Sequence, residues 1–330
     1  MRYVEAGGDK MSVIGLGCWQ FGSWDWGYGD TYAQSTSIEI MHRALDLGVN
    51  LVDTAELYGF GRSEKIVGRA IADRRDDVFL ATKIVPLLPI APIVEQRAKS
   101  SITRMRVDKI DLYQIHWPNP LVSDGTAMTG MRRLIDSGLV RHAGVSNYPL
   151  SRWMSADRAL GLPVLSNQVR MSLVDRRPLV DLVPFAKSEG RIVIAYSPLA
   201  QGLLGGRYDA HNLPSGTARR SNPLFLPENL ERATSLIDAI REIAASHQCT
   251  PAQIALAWVI RHPNVVAIPG ASSVEQVEAN VAAAEIDLTD SESSQLEEAA
   301  DAFEPIRGAA AFREMAEQAV SGLRGRLGLR

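Results

Sequence analysis

The fold of this chain is decided by DVFLATKIVPLLPIAPIVEQRAKSSITRMRVDKIDLYQIH, residues 77–116. The apolar runs at its two ends, DVFLATK and DLYQIH, predict buried strands. The residues between them carry Val94, Ala98 and Ile102 at near-helical spacing and predict a helix over about 93–106. Two strands joined through a helix run parallel in one sheet. The same alternation continues along the chain and gives eight strand-like runs, each followed by a helix.

Eight such units in 330 residues favour a closed parallel barrel over an open doubly wound sheet. An open sheet that binds a dinucleotide would carry G-x-G-x-x-G after its first strand. Here GLGCWQFG, residues 15–22, gives only G-x-G, followed by bulky residues. We therefore predict one α/β domain over residues 1–330, a (β/α)8 TIM barrel. An N-terminal β-hairpin is expected to turn at Gly7 and Gly8, and extra helices are expected at the C-terminus.

Composition narrows the range of functions. Hydrophobic content is 46% and charged content 22%, which allows a sizeable core, and the net charge of −3 gives no global field that favours nucleic acid or an anionic membrane. The chain carries no signal-like start and no long apolar run, and its two cysteines and six histidines show no metal-ligand spacing. We expect a soluble, cytoplasmic protein with no metal and no nucleic-acid or membrane partner.

Four polar residues stand at or just after the ends of successive predicted strands. Asp53, Lys83 and His116 each close an apolar run, and Tyr58 follows Asp53 by five residues. The carboxyl ends of barrel strands meet at one mouth, where such folds keep their chemistry. A phenol has an ordinary pKa of about 10, and a neighbouring ammonium lowers it. Tyr58 could thus donate a proton to a carbonyl, with Lys83 tuning it, Asp53 holding Lys83, and His116 hydrogen-bonding the substrate oxygen.

Six motifs in a fixed order carry a resemblance to a known family. They are DTAELYG at 53–59, ATK ending at Lys83, QIHW at 114–117, GVSN at 144–147, SNQ ending at Gln168, and YSPLAQGLL at 196–204. With them the chain resembles the aldo-keto reductases, in the branch closer to the bacterial and potassium-channel β-subunit-like members. The resemblance implies reduction of an aldehyde or ketone to an alcohol by a hydride from a nicotinamide, with Tyr58 as the general acid. It also implies a monomer, by family habit.

The resemblance further implies a set of cofactor contacts. Those to the nicotinamide carboxamide are Ser146, Asn147 and Gln168, and Tyr196 is implied to stack on the nicotinamide ring. Those around the pyrophosphate are Ser197, Leu199 and Gln201. Cys18 and Trp19 are implied to line the cofactor and the pocket wall.

The adenine end departs from the family pattern. Many members carry a Lys and an Arg after the last strand to hold the 2′-phosphate of NADP, whereas this chain has Gly270 and Gln276 there, with Ser272 and Asn280 nearby. A phosphate favours cations, above all arginine. The candidates in the long loop are Arg207, Arg219 and Arg220. We predict NADPH as the cofactor, held through this loop, with NADH possible.

The substrate pocket is predicted from aromatic residues near the expected mouth, namely Phe21, Trp24, Trp26 and Trp117. Aromatic lining suits small apolar carbonyl compounds, although the same residues also fill cores. Two alternatives stay open at this point. One is a non-catalytic or slow NADP(H)-binding regulatory barrel, and the other is a lyase that uses Lys83 as a Schiff-base nucleophile.

Overall fold

A computed structural model describes residues 1–23, 34–311, 313 and 314 of the chain. The described residues fall into two compact units, one within the ranges Met1–Pro198 and Leu256–Asp287 and the other within Leu199–Ala255 and Leu288–Arg330. The organisation as one domain stays a prediction. None of the helices in the described part of the chain is long and apolar enough to span a bilayer.

The first unit opens with the predicted hairpin. Strands β1 (Tyr3–Ala6) and β2 (Asp9–Ser12) pair antiparallel, with Ala6 opposite Asp9. Gly7 and Gly8 between them have φ of 62° and 84°. A two-residue turn of this kind needs left-handed backbone at both positions, which glycine adopts without a steric penalty. The predicted position of the turn is therefore confirmed.

The eight strands that follow form one parallel sheet in sequence order. They are β3 (Leu16–Gly17), β4 (Leu51–Asp53), β5 (Phe79–Ile84), β6 (Ile110–Ile115), β7 (Val140–Ser146), β8 (Val164–Arg170), β9 (Ile192–Tyr196) and β10 (Val265–Ala267). The chain just before β3 pairs with β10, since Gly15 N donates to Ala267 O at 2.7 Å and Ala267 N donates to Val13 O at 2.8 Å. The sheet therefore closes on itself, which confirms the predicted (β/α)8 barrel.

Helices alternate with these strands. In the first unit they are α1 (Gln34–Asp46), α2 (Arg62–Ala70), α3 (Ala91–Met105), α4 (Asp124–Asp136), α5 (Leu150–Leu160), α6 (Leu182–Ser188) and α11 (Val274–Ala282), while α10 (Pro251–Ile260) contains the junction between residues 255 and 256. Helices α2 and α3 approach closely at Gly68, where an added Cβ would lie 2.0 Å from Met105 O. Any larger residue at this position would force α2 away from α3.

The barrel interior is apolar along most of its length and polar at one end. Its packed side chains come from several strands and include Met11 of the hairpin. Leu51 of β4 and Leu112 of β6 are fully buried there. Two residues further along the same strands, on the same face, stand Asp53 and Gln114. The polar end is thus the carboxyl end of the strands.

The second unit is helical in its described part. It contains α7 (Thr217–Arg220), α8 (Pro227–Arg232), α9 (Thr234–Ser246) and α12 (Asp290–Asp301). The sequence predicts one helix over about 228–247, and the structure has two that meet at Ala233. Thr289 caps α12 through a capping box with Glu292, whose side chain accepts from Thr289 N at 2.8 Å. The predicted C-terminal helices are confirmed at α12.

Candidate active site

Three neighbouring strands of the barrel position the four predicted catalytic side chains. Asp53 closes β4, Lys83 is the penultimate residue of β5, and His116 directly follows β6. Tyr58 begins a short 3-10 turn over Tyr58–Gly61 after β4. Because these strands lie side by side, the structure brings all four side chains together at the carboxyl ends of the strands.

Lys83 is the centre of the cluster. Its Nζ donates to Asp53 Oδ1 at 2.5 Å, to Thr54 O at 2.8 Å and to Tyr58 Oη at 3.2 Å. An ammonium has three protons, so these contacts use all of them. The rings of His116 and Tyr58 meet edge to face, with centroids 5.8 Å apart and an interplanar angle of 80°. The hydroxyl of Tyr58 therefore contacts a buried cation, and the ring of Tyr58 lies beside an imidazole.

Burial controls the protonation of this cluster. It raises the pKa of Tyr58, and the charge of Lys83 offsets only part of that rise. The sequence showed only the neighbouring ammonium and not the burial, so it predicted a lowered pKa for Tyr58. Burial also pulls the pKa of Lys83 down, but the Asp53 carboxylate and Tyr58 more than compensate and leave it raised. At neutral pH Tyr58 is a phenol and Lys83 an ammonium.

His116 is half-buried and uncharged at neutral pH. Burial, helped by the positive charge of Lys83, lowers the pKa of His116 to about 3. Its Nδ1 is buried and has no hydrogen-bond partner among the described residues. A neutral imidazole carries one donor and one acceptor nitrogen, so His116 can hydrogen-bond an oxygen without adding charge to the site.

The second oxygen of Asp53 is held by two amides. Gln168 Nε2 donates to Asp53 Oδ2 at 2.8 Å and Gln114 Nε2 at 3.2 Å. These residues come from β4, β6 and β8, alternate strands whose side chains share a layer inside a barrel. Sequence reasoning missed Gln114 as a site residue, although it stands two positions before His116. Gln168, implied as a carboxamide contact, binds Asp53 here.

The other implied nicotinamide contacts are connected to one another. Tyr196 Oη donates to Asn147 Oδ1 at 3.0 Å, and Asn147 Nδ2 donates to Ser146 Oγ at 3.0 Å. Ser146 Oγ in turn donates to the backbone oxygen of Gln168 at 2.8 Å. Asn147 has a φ of 60°, a left-handed conformation that asparagine tolerates better than most residues. Ser197, with a φ of 51°, follows Tyr196 directly.

The residues implied to line the pocket differ in exposure. Trp19 is 41% exposed and its ring centroid lies 6.4 Å from that of Tyr58, while Trp117 is half-buried with its ring centroid 4.8 Å from that of His116. Phe21 is fully buried. Cys18 is also buried, and burial raises the pKa of its thiol well above the ordinary value. Trp24 and Trp26 lie outside the described residues.

The segment after β10 is tied together by its own polar groups. Ser272 N and Oγ donate to Gln276 Oε1 at 3.0 and 3.2 Å, and Asn280 Nδ2 donates to Gly270 O at 3.3 Å. An added Cβ at Gly270 would lie 1.7 Å from the side-chain amide of Gln20, so a side chain there would displace Gln20. The segment 265–280 contains no lysine or arginine.

The remaining predicted cofactor residues lie in the second unit. Leu199 O accepts from Gly202 N at 2.9 Å, and Gln201 O accepts from Arg219 Nε at 2.8 Å. The guanidinium carbons of Arg207 and Arg219 lie 5.9 and 5.7 Å from the centroid of the Tyr208 ring. Two of the three cations predicted for the 2′-phosphate thus lie near one aromatic side chain of this unit, and the third, Arg220, is exposed.

Comparison with known proteins identifies the family. The family model described as "Aldo/keto reductase family" matches residues 13–301. The chain is 52% identical to an uncharacterized oxidoreductase of Mycobacterium tuberculosis over 97% of this chain and 99% of that one, and 30% identical to the methylglyoxal reductase YeaE of Escherichia coli over 90% and 94%. A crystal structure of an aldo/keto reductase from Klebsiella pneumoniae with NADP and acetate aligns with a TM-score of 0.73 at 29% identity, covering 93% of this chain and 98% of that one. The chain belongs to the aldo/keto reductase family.

Proposed function

We propose that this protein reduces small aldehydes or ketones to alcohols with NADPH, and that Tyr58 supplies the proton. The observation that carries the proposal is the buried contact of Lys83 Nζ with both Asp53 and Tyr58 Oη. A buried ammonium is costly unless it is paired, so this arrangement favours a catalytic role over a packing role. The family membership and the name of the E. coli relative, a methylglyoxal reductase, support a small carbonyl substrate.

The residues present fit a nicotinamide cofactor. Ser146, Asn147 and Gln168 offer a hydroxyl and two amides, the donors and acceptors that a carboxamide requires. Tyr196 is half-buried beside Asn147 and can stack on a planar ring. The Klebsiella structure, which contains NADP, supports the same choice of cofactor. When bound, the cofactor supplies the hydride.

The chain's own residues handle the proton. The carbonyl oxygen is expected to accept hydrogen bonds from Tyr58 Oη and from the neutral imidazole of His116. Because burial raises the pKa of Tyr58, its proton leaves only when negative charge develops on that oxygen. The phenolate that remains is stabilised by the ammonium of Lys83. Asp53 in turn keeps Lys83 charged.

A panel assay tests the proposal. Aliphatic and aromatic aldehydes and α-dicarbonyl compounds would be offered with NADPH and, separately, with NADH, and cofactor absorbance would be followed. We expect turnover of at least one small carbonyl with NADPH. If no carbonyl in the panel is turned over while NADPH binding is detected by fluorescence, the protein binds the cofactor without this chemistry and the proposal is wrong.

A further inference from the structure

The turn that carries Tyr58 has a strained backbone. Gly59, Phe60 and Gly61 have φ of 55°, 54° and 82°, so three consecutive residues are left-handed. Phe60 has no glycine-like freedom there. Its side chain is 95% exposed, so packing of its ring does not hold the turn. Strained backbone near reacting groups persists only where surrounding contacts hold it in place.

One such contact precedes Tyr58. The side chain of Glu56 is buried and accepts a hydrogen bond from Val85 N, just beyond the end of β5. Arg97 of α3 grips the same carboxylate, with Nε 2.9 Å from each oxygen and a second nitrogen 2.8 Å from Oε1. The backbone N of Glu56 also donates to Lys83 O at 3.2 Å. The start of the turn is therefore held by hydrogen bonds at the end of β5 and by an ion pair to α3.

A second contact follows the turn. Glu64, in the first turn of α2, is fully buried and accepts from Thr82 Oγ1 at 2.7 Å and from Arg104 Nε at 2.5 Å. Thr82 precedes Lys83 in β5. The side chain of Arg104 also lies against Gly61, where an added Cβ would be 2.8 Å from Arg104 Cδ. The end of the turn is fastened to the same strand and the same helix.

The carboxylates of both ion pairs are buried, whereas the side chains of Arg97 and Arg104 are partly exposed. Replacing a buried ion pair with apolar side chains of similar volume is often neutral or stabilising, so stability gives no strong reason for two such pairs at this turn. Both carboxylates flank the Tyr58 turn, and each contacts β5 or the residue that follows it, next to Lys83. Tyr113 of β6 is fully buried, and its pKa is raised well above the ordinary value by burial and by the charges of Glu56 and Glu64. It remains a neutral phenol, so it adds no charge to the pair of carboxylates.

We propose that Arg97 and Arg104 are positioning residues for the reaction. Both arginines lie on α3 and form ion pairs with Glu56 and Glu64. These ion pairs hold the strained turn so that Tyr58 Oη stays within hydrogen-bonding distance of Lys83. The inference rests on the proposed function, because its effect is exerted through Tyr58 as the proton donor.

Glu56→Gln tests this role, since it keeps the shape of the side chain and removes its charge. We expect kcat to fall about 10- to 100-fold, the scale of a small misplacement of a reacting group, with the Kd for NADPH unchanged. In a Tyr58→Phe background the same substitution should leave the residual kcat unchanged, because the group it positions is gone. If the two losses multiply instead, Glu56 does not act through Tyr58 and the inference is overturned.

Asp111→Asn is the matched control. Asp111 is buried like Glu56, accepts one backbone N–H, from Leu80 at 2.8 Å, and pairs with Arg75 at 2.6 Å. It stands near the amino-terminal end of β6, away from the Tyr58 turn. We expect Asp111→Asn to lower the Tm without lowering kcat. If Glu56→Gln behaves in the same way, its role is structural only and the inference is overturned.

Arg97→Lys is a second variant that tests the same role if the Glu56→Gln protein does not fold. It retains the charge but loses the two-nitrogen grip on the carboxylate, so a smaller fall in kcat with unchanged NADPH binding is expected. An unchanged kcat in a folded Arg97→Lys protein would overturn the inference. Failure of the proposed function is a separate result: Tyr58→Phe would then keep the wild-type kcat whatever Glu56→Gln does.

Discussion

Asp53→Asn is expected to reverse the way in which stability depends on alkaline pH. In the wild-type protein the pKa of Lys83 is raised, because Asp53 and Tyr58 outweigh the effect of burial. Lys83 therefore makes its full contribution to the free energy of unfolding below the pKa of lysine in the unfolded chain, about 10.4. That contribution is lost as the pH rises through the pKa of Lys83 in the folded protein. Without the carboxylate, only the neutral phenol of Tyr58 opposes the effect of burial on Lys83. Its folded pKa should then fall below the unfolded value.

The magnitude follows from the complete burial of Lys83. Removing one partner of a buried ion pair costs about 3–5 kcal/mol at neutral pH. A fully buried lysine can lose roughly 3 pKa units, and each unit corresponds to about 1.4 kcal/mol. Between the lowered folded pKa and about 10.4 the unfolded state binds more protons, so the stability of the variant rises with pH. Roughly 3 kcal/mol of the deficit relative to wild type should be recovered between about pH 7 and pH 10.

Urea denaturation followed by tryptophan fluorescence at several pH values between neutral and alkaline measures this deficit. Asp111→Asn provides the control, because the partner it loses is an arginine, Arg75, and arginine is a residue type that is not deprotonated in proteins. The deficit of Asp111→Asn should therefore be the same at every pH. A deficit of Asp53→Asn that is equally independent of pH would refute the argument that burial sets the protonation of Lys83.

Three further predictions concern activity. Tyr58→Phe should lower kcat by about 10²–10⁴-fold, the usual contribution of a general acid, while fluorescence titration should give an unchanged Kd for NADPH. If the variant kept the wild-type kcat, Tyr58 would not be the proton donor. Because the pKa of His116 is about 3, the pH profile of kcat/KM should show no step from this imidazole between about pH 5 and pH 8, and a step that disappears in His116→Gln would contradict this. Arg219→Ala should weaken NADPH binding more than NADH binding, whereas Arg220→Ala, at an exposed neighbouring position, should not; an unchanged ratio of the two dissociation constants for Arg219→Ala would exclude it as the phosphate contact.

The positions of the strand-end residues could be predicted because they depend only on chain order. Residues that close successive parallel strands lie at one edge of the sheet, so the apolar runs ending at Asp53, Lys83 and His116 were enough to place these side chains near one another. Tyr58 needed the additional signal of the DTAELYG motif, because it lies in a turn whose path no periodicity describes.

The partners of these residues could not be predicted in the same way. The contact of Gln114 with Asp53 joins β6 to β4 across the intervening β5, and it depends on the register of three strands. Sequence gives the alternation of each strand but not the register between strands. The boundary between α8 and α9 at Ala233 was missed for a different reason, since neither glycine nor proline marks it.

The direction in which the pKa of Tyr58 is shifted could not be predicted from the sequence either. This direction changes how the proposed mechanism is understood. A lowered pKa would describe a phenol that loses its proton readily, even without substrate. The structure has a phenol whose pKa burial raises, next to an ammonium that would stabilise the phenolate once it forms. Such a group holds its proton until a more basic oxygen appears beside it. In the proposed reaction, hydride delivery to a carbonyl would create that oxygen, so burial of Tyr58 would couple proton transfer to hydride transfer and suppress proton loss at any other time.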